Sequence, residues 1–197
     1  MPDGAEHVAF AYSADGKDRF TTVYPNLNLL EGSKKYTKDN PKIVSSSDPD
    51  NGVYMFDVSA KNLKAGTYTM SGKADAPWTI HSTDDANRKG KVGLWLMSTK
   101  PEMNVNISLG DTVPKTIEIP KDGDYNVRVN TYSNGTDVVT HSFWDFKLEP
   151  GSTATPYMPS FSEATAEDYP SYIGTYTDNN SNEQSTDPAR YSWKKIE

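Results

Sequence analysis

Cysteine is absent from this chain of 197 residues, which excludes a disulfide framework and a thiolate metal site. Histidine is scarce: His7, His81 and His141 form no HxH or HxxxH pair, so the spacing typical of zinc sites is missing. Apolar runs are only a few residues long, and the sequence therefore predicts no membrane span. The N-terminal MPDGAEHVAF also lacks the basic and apolar regions of a signal peptide.

Basic residues are outnumbered and are not clustered. The formal net charge is −7, and a chain of this charge repels a phosphate backbone, so we expect no nucleic-acid partner. Aromatic residues are plentiful instead: they make up 11% of the chain, with 12 Tyr and 4 Trp, at a mean hydropathy of −0.75. This combination favours a β protein with polar faces and exposed rings over a disordered chain.

Helical periodicity is missing from every long segment, whereas short alternating segments recur between turn residues. Their spacing predicts an all-β fold of about eight strands, either a two-sheet antiparallel β-sandwich or a barrel. The clearest strands are VYMFDVSA (53–60), GTYTMSGKA (66–74), KVGLWLMS (91–98), MNVNISLG (103–110), Ile117–Ile119, Tyr125–Tyr132 and the segment that ends in FWDFKLEP (143–150).

The domain organisation follows from where these strands lie. Residues 26–158 hold them and predict one compact β domain. Residues 1–25 and 159–197 contain turn residues and few periodic apolar positions, although YIGTYT and RYSWKKI look like short extended pieces. We therefore expect an N-terminal and a C-terminal connector around one module of a larger protein.

Motifs of catalysis are missing from the sequence. There is no nucleophile elbow, no phosphate-binding loop and no GxGxxG. Acidic residues are numerous, but most fall in turns such as SSSDPDNG and STDDANRKG, where Asp stabilises the turn itself. No pair of carboxylates is singled out for glycoside hydrolysis, so we expect a protein that is not an enzyme and that needs no cofactor.

A calcium loop is suggested only faintly. Asp48, Asp50 and Asn51 precede Gly52 with the spacing of oxygen ligands, but the Glu expected at position 12 of such a loop is missing. A plain turn is the favoured interpretation. A structural calcium ion built from separate loops stays open as an alternative.

Two strands are expected to carry polar and aromatic side chains on their outward sides. In KVGLWLMS the aliphatic residues share one side, which leaves Trp95 on the other. In DYNVRVNTYS the two valines share one side with Tyr125, which leaves Asn126, Arg128, Asn130 and Tyr132 on the other. A ring offers a platform for the C–H surface of a sugar, and Arg and Asn supply directional hydrogen bonds. The sequence thus nominates a sugar-binding face.

The tryptophans leave alternatives open. Trp95 would contact a ligand, or it would pack under a loop or inside a sandwich buried on both faces. Trp78 follows Ala-Pro in a loop and would anchor a ligand or close the end of the sandwich. Trp144 alternates in phase with Phe146 and Leu148, so the pattern predicts it in the core.

Three short motifs carry a resemblance to a known family. They are Asn28-Leu29-Leu30, Gly66-Thr67-Tyr68-Thr69 and the closing run KLEPGSTATP (147–156). Together they resemble the CenC-like jelly-roll carbohydrate-binding modules found in tail and baseplate proteins of phages of Gram-positive bacteria. Such modules usually have Trp after the final Thr-Pro, whereas this chain has Tyr157. The flanking segments are similar to those that precede and follow such modules, so the resemblance covers nearly the whole chain.

The resemblance implies a two-sheet jelly roll in a tail-tip or baseplate protein of a virion, acting at the outside of the host cell. It implies adhesion to cell-wall polysaccharide and contact with neighbouring modules of the parent tail protein, without catalysis. Trp95, Arg128, Asn130, Tyr132 and Trp78 are the residues nominated to bind the sugar. Negative net charge favours a neutral polysaccharide over a phosphate-rich one. The alternative is a purely structural sandwich that braces other tail proteins.

Overall fold

A computed structural model of the chain describes residues 4–80 and 85–197, and its fold is all-β, as the sequence predicts. The described residues divide into two compact units. The larger unit is Leu27–Glu163. The smaller unit combines the residues up to Asn26 with Ala164–Glu197.

Eleven strands are present in the described residues, together with one four-residue α-helix, α1 (Asp85–Arg88), and 3-10 turns at Pro49–Asn51, Pro101–Met103, Ala166–Asp168 and Pro188–Arg190. The strands, numbered along the chain, are β1 (Ala5–Ala11), β2 (Lys42–Ser45), β3 (Gly52–Leu63), β4 (Gly66–Ala74), β5 (Val92–Ser98), β6 (Asn106–Ser108), β7 (Lys115–Ile119), β8 (Gly123–Thr131), β9 (Thr140–Pro150), β10 (Tyr172–Asp178) and β11 (Ser192–Lys195).

The larger unit is a sandwich of two four-stranded antiparallel sheets. One sheet has the order β2-β9-β4-β7 and the other has the order β3-β8-β5-β6. Successive strands of the chain alternate between the sheets except at hairpins, which is the winding of a jelly roll. The expected two-sheet sandwich is therefore confirmed.

The core of the sandwich lies where the alternating pattern places it. Leu94 and Leu96 of β5 and Val127 and Val129 of β8 are fully buried, and they face the apolar side of the other sheet in one cluster. Each such side chain contributes about 1.5–3 kcal/mol when it leaves water. The apolar side of β5 and β8 thus holds the sandwich together and leaves their other side to polar residues.

Trp144 does not lie in the core, and the prediction that placed it there is wrong. Phe143 is fully buried, whereas Trp144 is only half-buried. The cause is a bulge: Asp145 has a φ of 54°, and the register of β9 against β4 shifts beside it. A bulge inserts one residue and reverses the side on which the preceding residues point. The period-two pattern that joins Trp144 to Phe146 is broken there.

The closing motif KLEPGSTATP is held by a buried ion pair. Lys147 is 1% exposed and Glu149 is fully buried, and Lys147 Nζ lies 3.6 Å from Glu149 Oε2. Thr155 donates its hydroxyl to Glu149 Oε1 over 2.6 Å and accepts from Lys147 Nζ over 2.8 Å. Burial lowers the pKa of Lys147 to about 8, although Glu149 favours its charged form. The pair fixes the segment after β9 against the sheet.

The smaller unit contains a three-stranded antiparallel sheet of order β1-β10-β11. It joins the two flanks of the sequence, because β1 pairs with β10 along its whole length. Trp193 of β11 lies directly over Gly174 and Gly16, where a Cβ would come within 2.9 Å and 2.1 Å of its ring. The extended pieces noted in the flanks are thus strands with partners.

Candidate functional site

The side of the β3-β8-β5-β6 sheet that faces away from the core is called the outer face below. Four of the five nominated residues lie there. Trp95 of β5 is directly opposite Arg128 of β8. Asn130 follows on the same side of β8, and Tyr132 comes just after that strand, where its N–H donates to the Lys91 carbonyl over 3.3 Å. The alternation of β5 and β8 is unbroken at these positions, so the chain brings the four together as the sequence predicts.

Arg128 is positioned by neutral groups. Its Nε donates to Asn130 Oδ1 over 3.2 Å and its Nη1 donates to Tyr54 Oη over 2.8 Å. The guanidinium carbon also lies 4.7 Å from the centre of the Tyr54 ring. Within the described residues, no carboxylate oxygen lies within 4.0 Å of this guanidinium. Arg128 is half-buried, so its positive charge is directed at the outer face without an ionic partner there.

Two glycines flank Asn130 and lower the surface around it. Gly52 of β3 and Gly93 of β5 both stand opposite Asn130 in the register. A Cβ at Gly52 would lie 2.8 Å from Asn130 Nδ2, so the Asn130 amide would have to move to admit it. A Cβ at Gly93 would lie 3.4 Å from Trp95 Nε1 and 3.5 Å from Tyr132 Oη. The side chains of Asn130, Trp95 and Tyr132 therefore lie close over the backbone of these two glycines and form a polar floor.

Tyr132 closes one end of this floor. It is 3% exposed, and the guanidinium carbon of Arg88 lies 5.1 Å from its ring centre. Burial raises the pKa of Tyr132, against the opposing effect of Arg88 and Arg128. The phenol keeps its proton at neutral pH, and its burial makes Tyr132 part of the wall of the site.

Trp78 lies on the other side of the sheet from Trp95. Its ring packs against the hydrophobic core, 6.2 Å from the ring of Phe143. The backbone of Trp78 forms a bridge to Val92, at the start of β5. The structure therefore does not bring Trp78 together with the four residues of the outer face, and its place at the edge of the sandwich is that of a plug.

Tyr54 and Phe56 extend the outer face, and the sequence reasoning did not nominate them. Tyr54 of β3 stands opposite Arg128, so one row across three strands reads Tyr54, Arg128, Trp95. Tyr54 is 44% exposed and Phe56 is 67% exposed, and their rings stack with centres 5.9 Å apart. In VYMFDVSA these two rings share a phase opposite Val53 and Met55, which is the signal that could have found them.

Phe56 begins a bulge that is held in place from the side. Met55 pairs with Val127 and Ser59 pairs with Asn126, so residues 56–58 have no counterpart on β8. Asp57 accepts from Tyr36 Oη over 2.6 Å and lies 2.8 Å from Lys35 Nζ. Burial opposes ionisation of Asp57, but these two bonds lower its pKa below the ordinary value. The contacts of Asp57 with Tyr36 and Lys35 therefore hold the bulge in place.

Asn126 adds a buried amide to the outward side of β8. It is 1% exposed, and neither its Nδ2 nor its Oδ1 has a hydrogen-bond partner among the described residues. An unmatched buried polar group costs about 1–3 kcal/mol. Asn126 lies two residue pairs along the register from the Arg128–Trp95 pair, so the fold keeps this cost on the same side of the sheet as the polar floor.

Metal ligands do not assemble in the parts of the chain that the structure describes: no group of three or more His, Cys, Asp or Glu side chains could hold an ion there. His141 lies 2.8 Å from Asp75 and His7 lies 2.8 Å from Asp178, while His81 is outside the described residues. Asp48 accepts from the Ser45 N–H over 2.9 Å in a turn. Over residues 4–80 and 85–197, no helix has the length and apolar character needed to cross a membrane.

The outer face therefore combines two kinds of chemistry. Half-buried or exposed rings lie at Trp95, Tyr54 and Phe56, and hydrogen-bonding groups lie between them at Arg128 and Asn130. Such a surface suits a ligand that has both C–H faces and hydroxyl groups.

Comparison with known proteins finds a related solved structure. No protein-family model matches the chain, and no curated protein does so either. A solved structure, that of the tripod (BppUct-A-L) from the baseplate of bacteriophage Tuc2009, contains a chain that is 27% identical, with a TM-score of 0.62. The match covers 100% of the present chain and 80% of the baseplate chain. This likeness supports a phage baseplate module, and with it a place in the tail or baseplate of a virion.

Proposed function

We propose that this chain is a non-catalytic carbohydrate-binding module of a phage tail or baseplate protein, and that it adheres to cell-wall polysaccharide of a Gram-positive host. The row of Tyr54, Arg128 and Trp95 on the outer face is the observation that carries the proposal. The likeness to a baseplate chain supports the setting.

The chemistry of the row suits a sugar. A pyranose has an apolar C–H face, which packs on an aromatic ring, and equatorial hydroxyls, which bond to planar donors and acceptors at its rim. Trp95 would supply the ring and Arg128 would supply the hydrogen bonds, while Asn130, which is 3% exposed, holds the Arg128 guanidinium in place. The two glycines beside Asn130 let the side chains of this face lie close against the sheet, which keeps the surface below the sugar flat.

Affinity at one such site is expected to be modest. A few hydrogen bonds and one or two ring contacts correspond to about −4 to −8 kcal/mol, or millimolar to micromolar dissociation constants. A virion that carries several copies would bind firmly through avidity, while each single contact stays reversible. Weak individual sites therefore allow a virion to detach and rebind as it moves over the cell surface.

The test is binding of the fluorescently labelled full chain to Gram-positive cells, before and after the wall polysaccharide is stripped. We expect binding that is lost on stripping. Binding that persists on stripped cells would point to a different receptor. A folded protein that binds no strain would contradict the proposal and favour a bracing role within the tail.

Trp95→Ala is the matched variant for this experiment. Because Trp95 faces outward and is only half-buried, we expect it to weaken cell binding by about tenfold, ~1.4 kcal/mol, while the protein stays folded by circular dichroism. Phe161→Ala is the control, since Phe161 is 83% exposed and lies outside the strands. Unchanged binding of a folded Trp95→Ala protein would remove Trp95 from the site.

A further inference from the structure

Tyr54 and Phe56 form an aromatic surface that the single-sugar site around Trp95 does not require. On the basis of the proposed function, we infer that they are a second platform, and that the ligand is a stretch of at least two linked sugars lying across the strands. The module would then recognise an internal segment of a polysaccharide rather than one terminal sugar.

The spacing of the rings supports this extended ligand. Tyr54 and Trp95 lie in one row on β3 and β5, with β8 between them. Neighbouring strands are about 4.8 Å apart, so the two positions are about 10 Å apart. One sugar ring does not reach both, whereas two linked rings do. The row runs perpendicular to the strands and fixes the direction of the chain.

The groups between the platforms are shared by both. Arg128 donates to Tyr54 Oη on one side and stands directly opposite Trp95 on the other. A ligand that lies on both platforms would pass over this guanidinium and the adjacent Asn130 amide. The two aromatic surfaces and the donors between them therefore form one continuous site.

The exposure of Phe56 indicates that the second platform is built to be open. An apolar ring that is 67% exposed gains little from folding, since most of its surface stays in water. Yet the bulge that presents it is anchored. Gly32, with a φ of 88°, lies so close that a Cβ there would come within 1.7 Å of the Asp57 carbonyl oxygen. The loop before β2 is thus fitted to the bulge and holds Phe56 beside Tyr54.

The experiment is a calorimetric titration of the full chain with fragments of wall polysaccharide. The fragments are released from cells that the labelled chain binds, and they are separated by length. We expect fragments of several sugars to bind at least tenfold more tightly than single sugars. Phe56→Ala should remove that gain and leave the affinity for single sugars within about twofold. Phe56→Tyr keeps the ring and should retain the gain. Phe161→Ala is the control for loss of an exposed phenylalanine.

The outcomes separate this inference from the proposed function. Equal affinity for short and long fragments, or a Phe56→Ala protein that binds long fragments like the wild type, would overturn the second platform and leave the adhesin intact. Failure of every fragment and of intact polysaccharide to bind would overturn both. Sedimentation that shows self-association, abolished by Phe56→Ala, would assign the ring to a contact between copies and overturn the inference.

Discussion

Asp145 decides, as a single residue, which aromatic side chain of β9 enters the core. Its φ of 54° marks the bulge that turns Phe143 inward and leaves Trp144 half-buried. A left-handed backbone at a residue other than glycine is uncommon, and Asp is one of the few types that adopt it readily. A single Asp, which tolerates this backbone conformation, thus changes which side chains of β9 face the core.

Truncation of the two neighbouring rings should show this difference. We expect Phe143→Ala to lower the free energy of unfolding by about 3–5 kcal/mol, as for other large core side chains, and Trp144→Ala to lower it by less than about half of that. Urea denaturation of both variants, with Phe161→Ala as an exposed control, checks the prediction. Equal losses for the two rings, or a larger loss for Trp144→Ala, would contradict the bulge.

Sequence reasoning succeeds where a strand is regular and fails where it is not. The outward positions of Trp95, Arg128 and Asn130 could be predicted because alternation in β5 and β8 is uninterrupted. Trp144 was placed on the wrong side because the bulge at Asp145 breaks the alternation of β9. A bulge depends on contacts with distant loops, which a local period does not contain.

At the scale of elements, the segment after β9 is fastened by the Lys147–Glu149 pair. Thr155 bonds to both side chains. If the segment left the sheet, Lys147 and Glu149 would both lose this hydrogen-bond partner. A buried pair of this kind is a weak source of net stability, because removal from water offsets the attraction. Its effect is to specify where the chain goes after the sandwich closes.

The titration of Lys147 gives a test of this arrangement. Its pKa is about 8 in the folded protein, below the ordinary 10.5. Between these values the unfolded chain binds the proton and the folded chain does not, so the free energy of unfolding rises with pH. We expect a rise of about 1 kcal/mol per pH unit from pH ~8 to ~9.5 in the wild type, measured by urea denaturation.

A double variant supplies the control for this titration. Lys147→Met with Glu149→Leu removes both charges together, which is far less disruptive than removing one, and it should abolish the rise. Raised tyrosine pKa values, such as that of Tyr36 at about 12, act in the opposite direction only above pH ~10. If the free energy of unfolding of the wild type stays constant or falls between pH ~8 and ~9.5, the pKa of Lys147 is not lowered in the folded protein.

At the scale of the whole molecule, the flanks of the sequence fold together into a unit of their own. β1 near the start pairs with β10 near the end, with Ala5 opposite Asp178. Local patterns predicted extended pieces in these flanks but could not name their partners, since the pairing joins segments separated by the entire sandwich. In the order of the sequence, the larger unit is therefore an insertion between β1 and β10.

The charge of the whole molecule bears on which polysaccharide could be the proposed ligand. With a net charge of −7, the chain is repelled by polyanions at long range, and Arg128 is one cation among neutral partners on the outer face. Hydrogen bonds and ring contacts act at short range and are little screened by salt, whereas attraction between exposed charges falls as the screening length shortens. The proposed contact with a neutral glycan should therefore depend weakly on ionic strength.

Binding to purified wall polysaccharide at low and high salt tests this reasoning. We expect the dissociation constant to change by less than about threefold between ~50 and ~500 mM sodium chloride, because few counterions are released when a neutral ligand binds. Trp95→Ala should weaken binding by the same factor at both concentrations, since its ring contact carries no charge. An affinity that falls more than about tenfold with added salt would show that phosphate groups carry the contact, and it would contradict a neutral ligand.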